Sequence, residues 1–320
     1  MNILNTRYVS LISLGGAVLM PLLNVRRAIR VIRDFSLSLA ACLLLPAAAS
    51  AIEPGSMAQL GSSVFRIQAA DIHGRLHSGS GVMVAPHTLV TNCHVVLRAR
   101  KITVVTTAAP MPARVVRSHA DRDLCLLDTP GLEGAAVTIG KTMDKQAGEA
   151  ITAIGYAPGA ALSMSRGTIE GLYTYQGDGR VVQGSAFFDP GKSGGGLFDS
   201  AGQLIGILTF KLRAGGPYHF AVPAEWVVAL LHDVSGAAQT STGKPFWQHT
   251  GEQQPVFVRV ASLSAEGNCA AVNTLTSQRL AREPGNPEAL FMAERAQRCN
   301  AGGPIARPLL EKVITALLRD

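Results

Sequence analysis

Apolar positions between about residues 58 and 232 come in short runs broken by turn residues, with no long helical stripe among them. Val64-Phe65-Arg66-Ile67, Gly81 to Val84, Ile102 to Val105 and Leu124 to Leu127 read as strands of a first six-stranded barrel over about residues 58–142. Ala150 to Gly155, Ser163 to Leu172, Leu204 to Phe210 and Tyr218 to Val222 read as strands of a second, over about 147–224. Strands this short, with no helices between them, favour antiparallel barrels over a parallel α/β sheet. Glu225 to His232 then reads as a closing helix.

Beyond residue 235 the period changes. A polar linker over 236–256 leads into a helical module over 257–320. Its pattern predicts helices at Ala265 to Arg282, Glu288 to Cys299 and Leu309 to Leu318. Pro284-Gly285 stops the first, Asn286 caps the second, and Pro287 suits its first position. This helix–turn–helix resembles a single tetratricopeptide-like hairpin. Cys269 and Cys299 stand fifteen residues on either side of Pro284, level with one another in an antiparallel hairpin, so a bridge between them is expected. The tail reads either as a cap on the barrels or as a docking site for a protein partner.

At the other end, Arg26, Arg27, Arg30 and Arg33 precede an apolar stretch, Phe35 to Leu45, that ends in Pro46-Ala47-Ala48-Ala49-Ser50-Ala51. Basic, apolar, then small residues is the order of a secretory signal, with cleavage expected after Ala51 and a periplasmic or secreted product. Cys42 also fits a lipoprotein site, but Leu43-Leu44-Leu45 after it is too apolar for a mature lipoprotein start. A membrane association is expected only if residues 1–51 are retained or Cys42 is lipidated. An oxidising compartment favours disulfides. Of 29 Lys and Arg and 22 Asp and Glu, five basic and one acidic residue lie in 1–51, leaving a balance of +3. The basicity therefore makes no case for nucleic-acid binding. Eight scattered histidines and no Cys-x-x-Cys give no metal pattern, and no cofactor is expected.

The chemistry concentrates in three segments. Gly191-Lys192-Ser193-Gly194-Gly195 sets a serine in a glycine frame, where the backbone turns tightly and N–H groups are able to face a carbonyl. Thr91-Asn92-Cys93-His94-Val95-Val96 supplies an imidazole, and Asp121-Arg122-Asp123 supplies an acid just before the Leu124 to Leu127 strand. Taken in chain order they give His94, Asp123 and Ser193: a base, an acid that orients it, and a nucleophile. The N–H groups of Gly191 and Ser193 form the expected oxyanion hole. His119, Asp121 and Ser185 are nearby alternatives that fit the pattern less well.

These residues resemble the bacterial HtrA-type branch of the trypsin-like serine proteases. The likeness covers about residues 58–232, and Asp189-Pro190-Gly191-Lys192-Ser193-Gly194-Gly195-Gly196-Leu197 and Phe220-Ala221-Val222-Pro223 carry it further. It implies a chymotrypsin-like pair of barrels, a protease domain over 52–235, and protein or peptide substrates cut through an acyl-enzyme. No PDZ-like segment follows, unlike most of that family. Lys192 stands where digestive relatives carry an aspartate, so activation by insertion of a new N-terminus is not expected. Gly196 replaces a proline and should loosen the strand after the nucleophile. Cys93 and Cys125 replace family alanines beside two triad members, and two readings stay open, a disulfide or two buried thiols. Phe187, Phe188, Leu208, Thr209 and Phe210 should wall the primary pocket, or the phenylalanines belong to the barrel core; without an acid there, small or medium aliphatic side chains are favoured. The rival reading is a latent, non-cleaving protein of the same fold that binds partners in its cleft or on its tail.

Overall fold

The computed structural model describes residues 54–157, 159, 161–212, 218–233 and 243–301. The signal segment 1–51, Cys42, the helix expected over 309–318 and part of the linker lie outside them.

After a short helix α1 (Pro54–Ser62), six strands close into one barrel: β1 (Val64–Asp71), β2 (Leu76–Ala85), β3 (Thr88–Asn92), β4 (Ala99–Val105), β5 (Met111–His119) and β6 (Leu124–Asp128). Six more close the second: β7 (Ala150–Tyr156), β8 (Leu162–Thr174), β9 (Arg180–Gly184), β10 (Gly196–Asp199), β11 (Leu204–Lys211) and β12 (His219–Pro223). Around each barrel the first three strands run in sequence and the last three return in reverse, β1-β2-β3-β6-β5-β4 and β7-β8-β9-β12-β11-β10. The shared order makes the barrels copies of one topology. All pairings within them are antiparallel, as the short runs predict.

Each barrel has its own interior, around Ile67, Leu89 and Leu127 in the first and Ile151, Ile205 and Leu208 in the second. A third cluster joins Leu124, Leu126, Phe198, Phe220, Trp226 and Phe246. Alternate positions of β6 thus face two different cores, which explains why Leu124 to Leu127 is continuously apolar rather than alternating. Helix α3 (Ala224–His232) closes the pair, with Trp226 and Val227 fully buried.

The sequence pattern misses β3 and β5 in the first barrel and β9 and β10 in the second. Gly196 does not loosen its strand: it pairs with Ile154 on β7 and Ile207 on β11. The helix expected over Ala265–Arg282 starts four residues later, and an unexpected helix precedes it. Helix α4 (Val256–Ala265) ends where Gly267 adopts φ +72°, and Asn268 then caps α5 (Cys269–Arg282) by accepting the Ala271 N–H at 3.2 Å. Helix α6 (Pro287–Ala301) begins as expected, with Asn286 Oδ1 accepting from the N–H groups of Glu288 and Ala289. A Cys269–Cys299 disulfide ties α5 to α6.

These helices lie against the second barrel. Phe257 stacks on Tyr173 at 4.8 Å, Arg295 Nη1 donates to the Glu170 carbonyl at 2.8 Å, and the Thr174 N–H donates to Glu288 Oε2 at 2.7 Å. Such packing supports the cap reading of the tail. From residue 243 the segment expected as linker is also packed: short 3₁₀ turns at Phe246–Gln248 and Gly251–Gln253 set Phe246 wholly inside the shared core.

Candidate active site

His94 sits on a single helical turn, α2 (Cys93–Val96), that breaks away from the end of β3. Asp123 closes the turn before β6 in a left-handed conformation, φ +58°, its N–H bonded to Ala120 O. Aspartate tolerates that region better than most residues with a Cβ. The left-handed residue is also held from outside: its carbonyl accepts from the Cys93 N–H at 3.1 Å and from Asn92 Nδ2 at 3.0 Å. The carboxylate then takes the His94 N–H on Oδ1 at 2.9 Å and the His94 ring Nδ1 on Oδ2 at 2.6 Å. Asp123 is 1% exposed at its side chain and His94 29%. A buried carboxylate on Nδ1 fixes the tautomer that leaves Nε2 free to accept a proton. Cys93 and Cys125 form a disulfide directly behind this pair, so of the two readings the structure shows the bridge.

Ser193 lies between β9 and β10 in the second barrel. Two glycines shape its loop. Gly191 has φ +98°; Gly194 has φ +84°, and a Cβ there would come within 2.1 Å of the Ser80 carbonyl oxygen. Only glycine fits that approach. The Lys192 carbonyl accepts from the Gly195 N–H at 2.8 Å, and in a trans peptide the Ser193 N–H must therefore point the opposite way. Neither the Gly191 nor the Ser193 N–H donates a hydrogen bond among the described residues. Two spare donors bracketing a nucleophile are what an oxyanion requires. Ser193 Oγ lies 3.5 Å from the Thr209 carbonyl oxygen, at the outer limit of a hydrogen bond, and makes none to His94. Resting enzymes often leave that bond unmade.

A residue outside the sequence motifs, Ser80, holds the loop. Ser80 on β2 donates its N–H to the Ser193 carbonyl at 2.8 Å and its Oγ to the Gly191 carbonyl at 3.1 Å, and accepts from the Tyr156 N–H at 2.9 Å. A first-barrel residue thus sets both peptide planes around the second-barrel nucleophile. Asn92 makes a second crossing, to Thr209 Oγ1 at 3.2 Å. Lys192 is 5% exposed, and burial lowers its pKa from the ordinary lysine value.

Trp247 also joins the site. Its Nε1 donates to Asp123 Oδ2 at 3.2 Å, and its ring stands edge-on to the His94 imidazole at 5.8 Å. Two adjacent aromatics in a polar stretch, Phe246-Trp247, were the available sequence signal. Asp121 proves to anchor this segment: its carbonyl accepts from the Phe246 N–H at 2.9 Å and its Oδ2 from Tyr175 Oη at 3.0 Å. Ser185 Oγ accepts from the Thr168 N–H, and His119 Nδ1 from the Arg122 N–H, so both hold backbone away from the cleft. Beside His94 runs a cleft of about 540 Å³, lined in part by Leu97, Arg98, Ala120, Lys244 and Gln248.

The expected primary pocket is only partly assembled. Phe187 and Phe188 both pack on His219, at 5.1 and 5.0 Å between ring centroids. Phe188 is buried and Phe187 is 49% exposed. Leu208 borders a space of about 10 Å³ beside Phe188 and His219, room for a water rather than a side chain. Thr209 and Phe210 point elsewhere: Thr209 Oγ1 donates to the Ile207 carbonyl, and Phe210 is stacked between Phe220 and Trp247. Strand β11 is buried on both faces by two cores, so its successive residues do not share one wall. His219 was not anticipated. Burial, and then the charge of Lys211, lowers its pKa from the ordinary value, and its Nδ1 has no hydrogen-bond partner among the described residues.

Comparison with known proteins agrees with this geometry. The trypsin-like peptidase domain family matches residues 79–207. The serine protease HTRA1B of Danio rerio is 32% identical over 184 residues, covering 53% of this chain and 38% of its own length. A probable periplasmic serine endoprotease, DegP-like, of Pseudomonas fluorescens is 26% identical over 210 residues, 60% of this chain and 44% of that protein. The chain thus spans less than half the length of either. Among solved structures, the HtrA-type protease AlgW with a tripeptide superposes with TM-score 0.50 at 27% identity, covering 55% of this chain and 61% of that one. The Rv3671c protease of M. tuberculosis in its active form shares the fold, with TM-score 0.52 at 22% identity over 58% of this chain and 89% of its own. Residues 79–207 therefore resemble a trypsin-like peptidase domain, and the chain around them is similar to the HtrA-type serine proteases.

Proposed function

We propose that this chain is a serine endopeptidase that works outside the cytoplasm on protein or peptide substrates. The observation that carries the reading is the 2.6 Å contact of a buried Asp123 with His94, facing a serine loop whose Gly191 and Ser193 N–H groups are unspent. Ser193 Oγ attacks the scissile carbonyl carbon as its proton passes to His94 Nε2. The carbonyl oxygen becomes an oxyanion held by the two N–H groups, and the imidazolium rests against Asp123. The C–N bond then breaks, His94 protonates the leaving amine, and the acyl group stays on Ser193 as an ester. A water that gives its proton to His94 attacks the ester carbonyl, and His94 returns that proton to Ser193 Oγ as the C–O bond breaks, freeing the acid and restoring the serine.

The filled pocket beside His219 supports cleavage after small side chains, a narrower preference than the aliphatic one expected from sequence. The two disulfides support residence in an oxidising compartment, as does the basic, apolar and small-residue order of residues 1–51. The AlgW structure bound to a tripeptide supports peptides as the substrate class.

A fluorophosphonate probe tests the reading. Labelling that maps to Ser193, is absent in Ser193→Ala and falls sharply in His94→Ala establishes an activated nucleophile. No labelling of folded wild-type protein would overturn it in favour of a binding protein on the same fold.

A further inference from the structure

Asp123 Oδ2 receives two hydrogen bonds, one from His94 Nδ1 at 2.6 Å and one from Trp247 Nε1 at 3.2 Å. The second comes from a different part of the chain altogether, beyond both barrels and beyond α3. We propose that Trp247 is a positioning residue for the His94–Asp123 pair, and that the segment around it is part of the catalytic unit rather than a tether to the helices. The proposal rests on the triad reading above.

Three features argue that this contact is built rather than incidental. The segment is fastened on either side of the indole. Phe246 is fully buried, with Tyr175 at 4.6 Å and Phe210 at 6.0 Å, and its N–H is bonded to the Asp121 carbonyl. On the other side, the Trp247 carbonyl accepts from Gln254 Nε2 at 3.3 Å. The indole plane is itself set by Phe210, parallel to within 9° at 5.1 Å, which leaves Nε1 a single direction to donate. Finally, the site needs a donor there. A carboxylate has two lone-pair directions on each oxygen, and Asp123 is 1% exposed, so water does not replace a missing partner. Thr209, whose hydroxyl lies across the barrels beside Asn92, spends its proton on the Ile207 carbonyl and accepts from Asn92.

The indole therefore holds Oδ2 in the plane where it meets His94 Nδ1, while its edge limits tilting of the imidazole. Hydrogen bonds to ionised groups are stronger than neutral ones, and orientation of the base contributes directly to proton transfer. Losing the N–H should lower the maximal rate of probe inactivation, kinact, about tenfold and leave KI for the probe unchanged, because Trp247 acts on the base and not on the reagent.

The test uses the full chain and a fluorophosphonate probe with Trp247→Phe, which keeps an aromatic ring and removes the donor. Should that variant fold poorly, benzothienylalanine at 247 keeps the bicyclic shape with sulfur in place of N–H. In either variant the downfield proton NMR resonance of the His94 Nδ1–H···Asp123 bond should shift, and kinact should fall with KI constant. A lower rate with an unmoved resonance would mean a merely structural role and overturn the proposal. So would an unchanged rate. Wild-type protein that takes up no probe would overturn the triad reading as well, whereas a labelled wild type with an unaffected variant overturns this proposal alone.

Discussion

Replacing the Cys93–Cys125 bridge by alanines should separate what holds the catalytic pair in place from what holds the first barrel together. The disulfide closes a loop of 32 residues that contains β4 and β5 and spans the chain between His94 and Asp123. In the chain-entropy picture, removing such a cross-link costs roughly 3–4 kcal/mol, because the unfolded chain regains the freedom the loop denied it. Both cysteines are almost fully buried, so the truncation also leaves a small void, adding to the loss rather than offsetting it. At roughly 2–4 °C per kcal/mol for a protein of this size, the melting midpoint of Cys93→Ala/Cys125→Ala should fall by about 7–15 °C. The catalytic geometry depends on other contacts: the His94 N–H to Oδ1, the Cys93 N–H to the Asp123 carbonyl, and Asn92 Nδ2 to the same carbonyl. None of them uses sulfur. Fluorophosphonate labelling of Ser193 at 25 °C should therefore stay within about threefold of wild type, while scanning calorimetry records the lower midpoint and intact mass confirms the missing bridge. A midpoint within 2 °C of wild type would refute the loop-entropy reasoning. A labelling rate lost at full stability would show instead that the bridge sets the geometry of the pair.

Further outcomes can be checked with the same preparations. Asp123→Asn should fold, since asparagine also tolerates the left-handed backbone, yet lose about 10⁴-fold in the labelling rate through the wrong imidazole tautomer. Ser80→Ala frees the Gly191 carbonyl while keeping the backbone bond to Ser193, so labelling should slow by about tenfold as the oxyanion loop loses one of its ties. His219 and His119 are both held below their ordinary pKa chiefly by burial, so the unfolded chain takes protons that the folded one refuses. Their stability contribution is present above about pH 6.5 and is lost as the pH falls through the lower folded values. The melting midpoint should drop between pH 7 and pH 5, less steeply in His219→Gln; identical slopes would count against the assignment. Phe187→Ala should open space beside His219 and extend cleavage to larger side chains, read from the products of a mixed peptide library.

Much of the molecule was legible before any coordinates. Strands such as Leu124 to Leu127 announce themselves because their apolar runs face two cores, and His94, Asp123 and Ser193 stand within short motifs whose chemistry is local. What escaped was set by distant contacts, by very short elements or, in the nine-residue β5, by a strand with a single buried position. Strand β10 is four residues long and begins with glycine, and β9 is five, too little pattern to distinguish from turns. Ser80 looks like any strand serine until the second barrel places the Gly191 and Ser193 carbonyls above it. Thr209 and Phe210 were assigned to a pocket with Leu208, but a register shift against β12 between Leu208 and Phe210 breaks the alternation and sends Phe210 to the shared core while Leu208 stays inside the second barrel. The break between α4 and α5 was readable after all, since Gly267 followed by Asn268 is a stop signal followed by a start signal.

Trp247 follows the nucleophile in the chain, and that order has a consequence for how the protein is made. A polypeptide that emerges from its N-terminus first presents His94, Asp123 and Ser193 while the indole that steadies Asp123 is still to come. A chain that has emerged only as far as α3 holds His94 and Asp123 without the Trp247 N–H, so the catalytic pair is fully tied only after both barrels and α3 have been made.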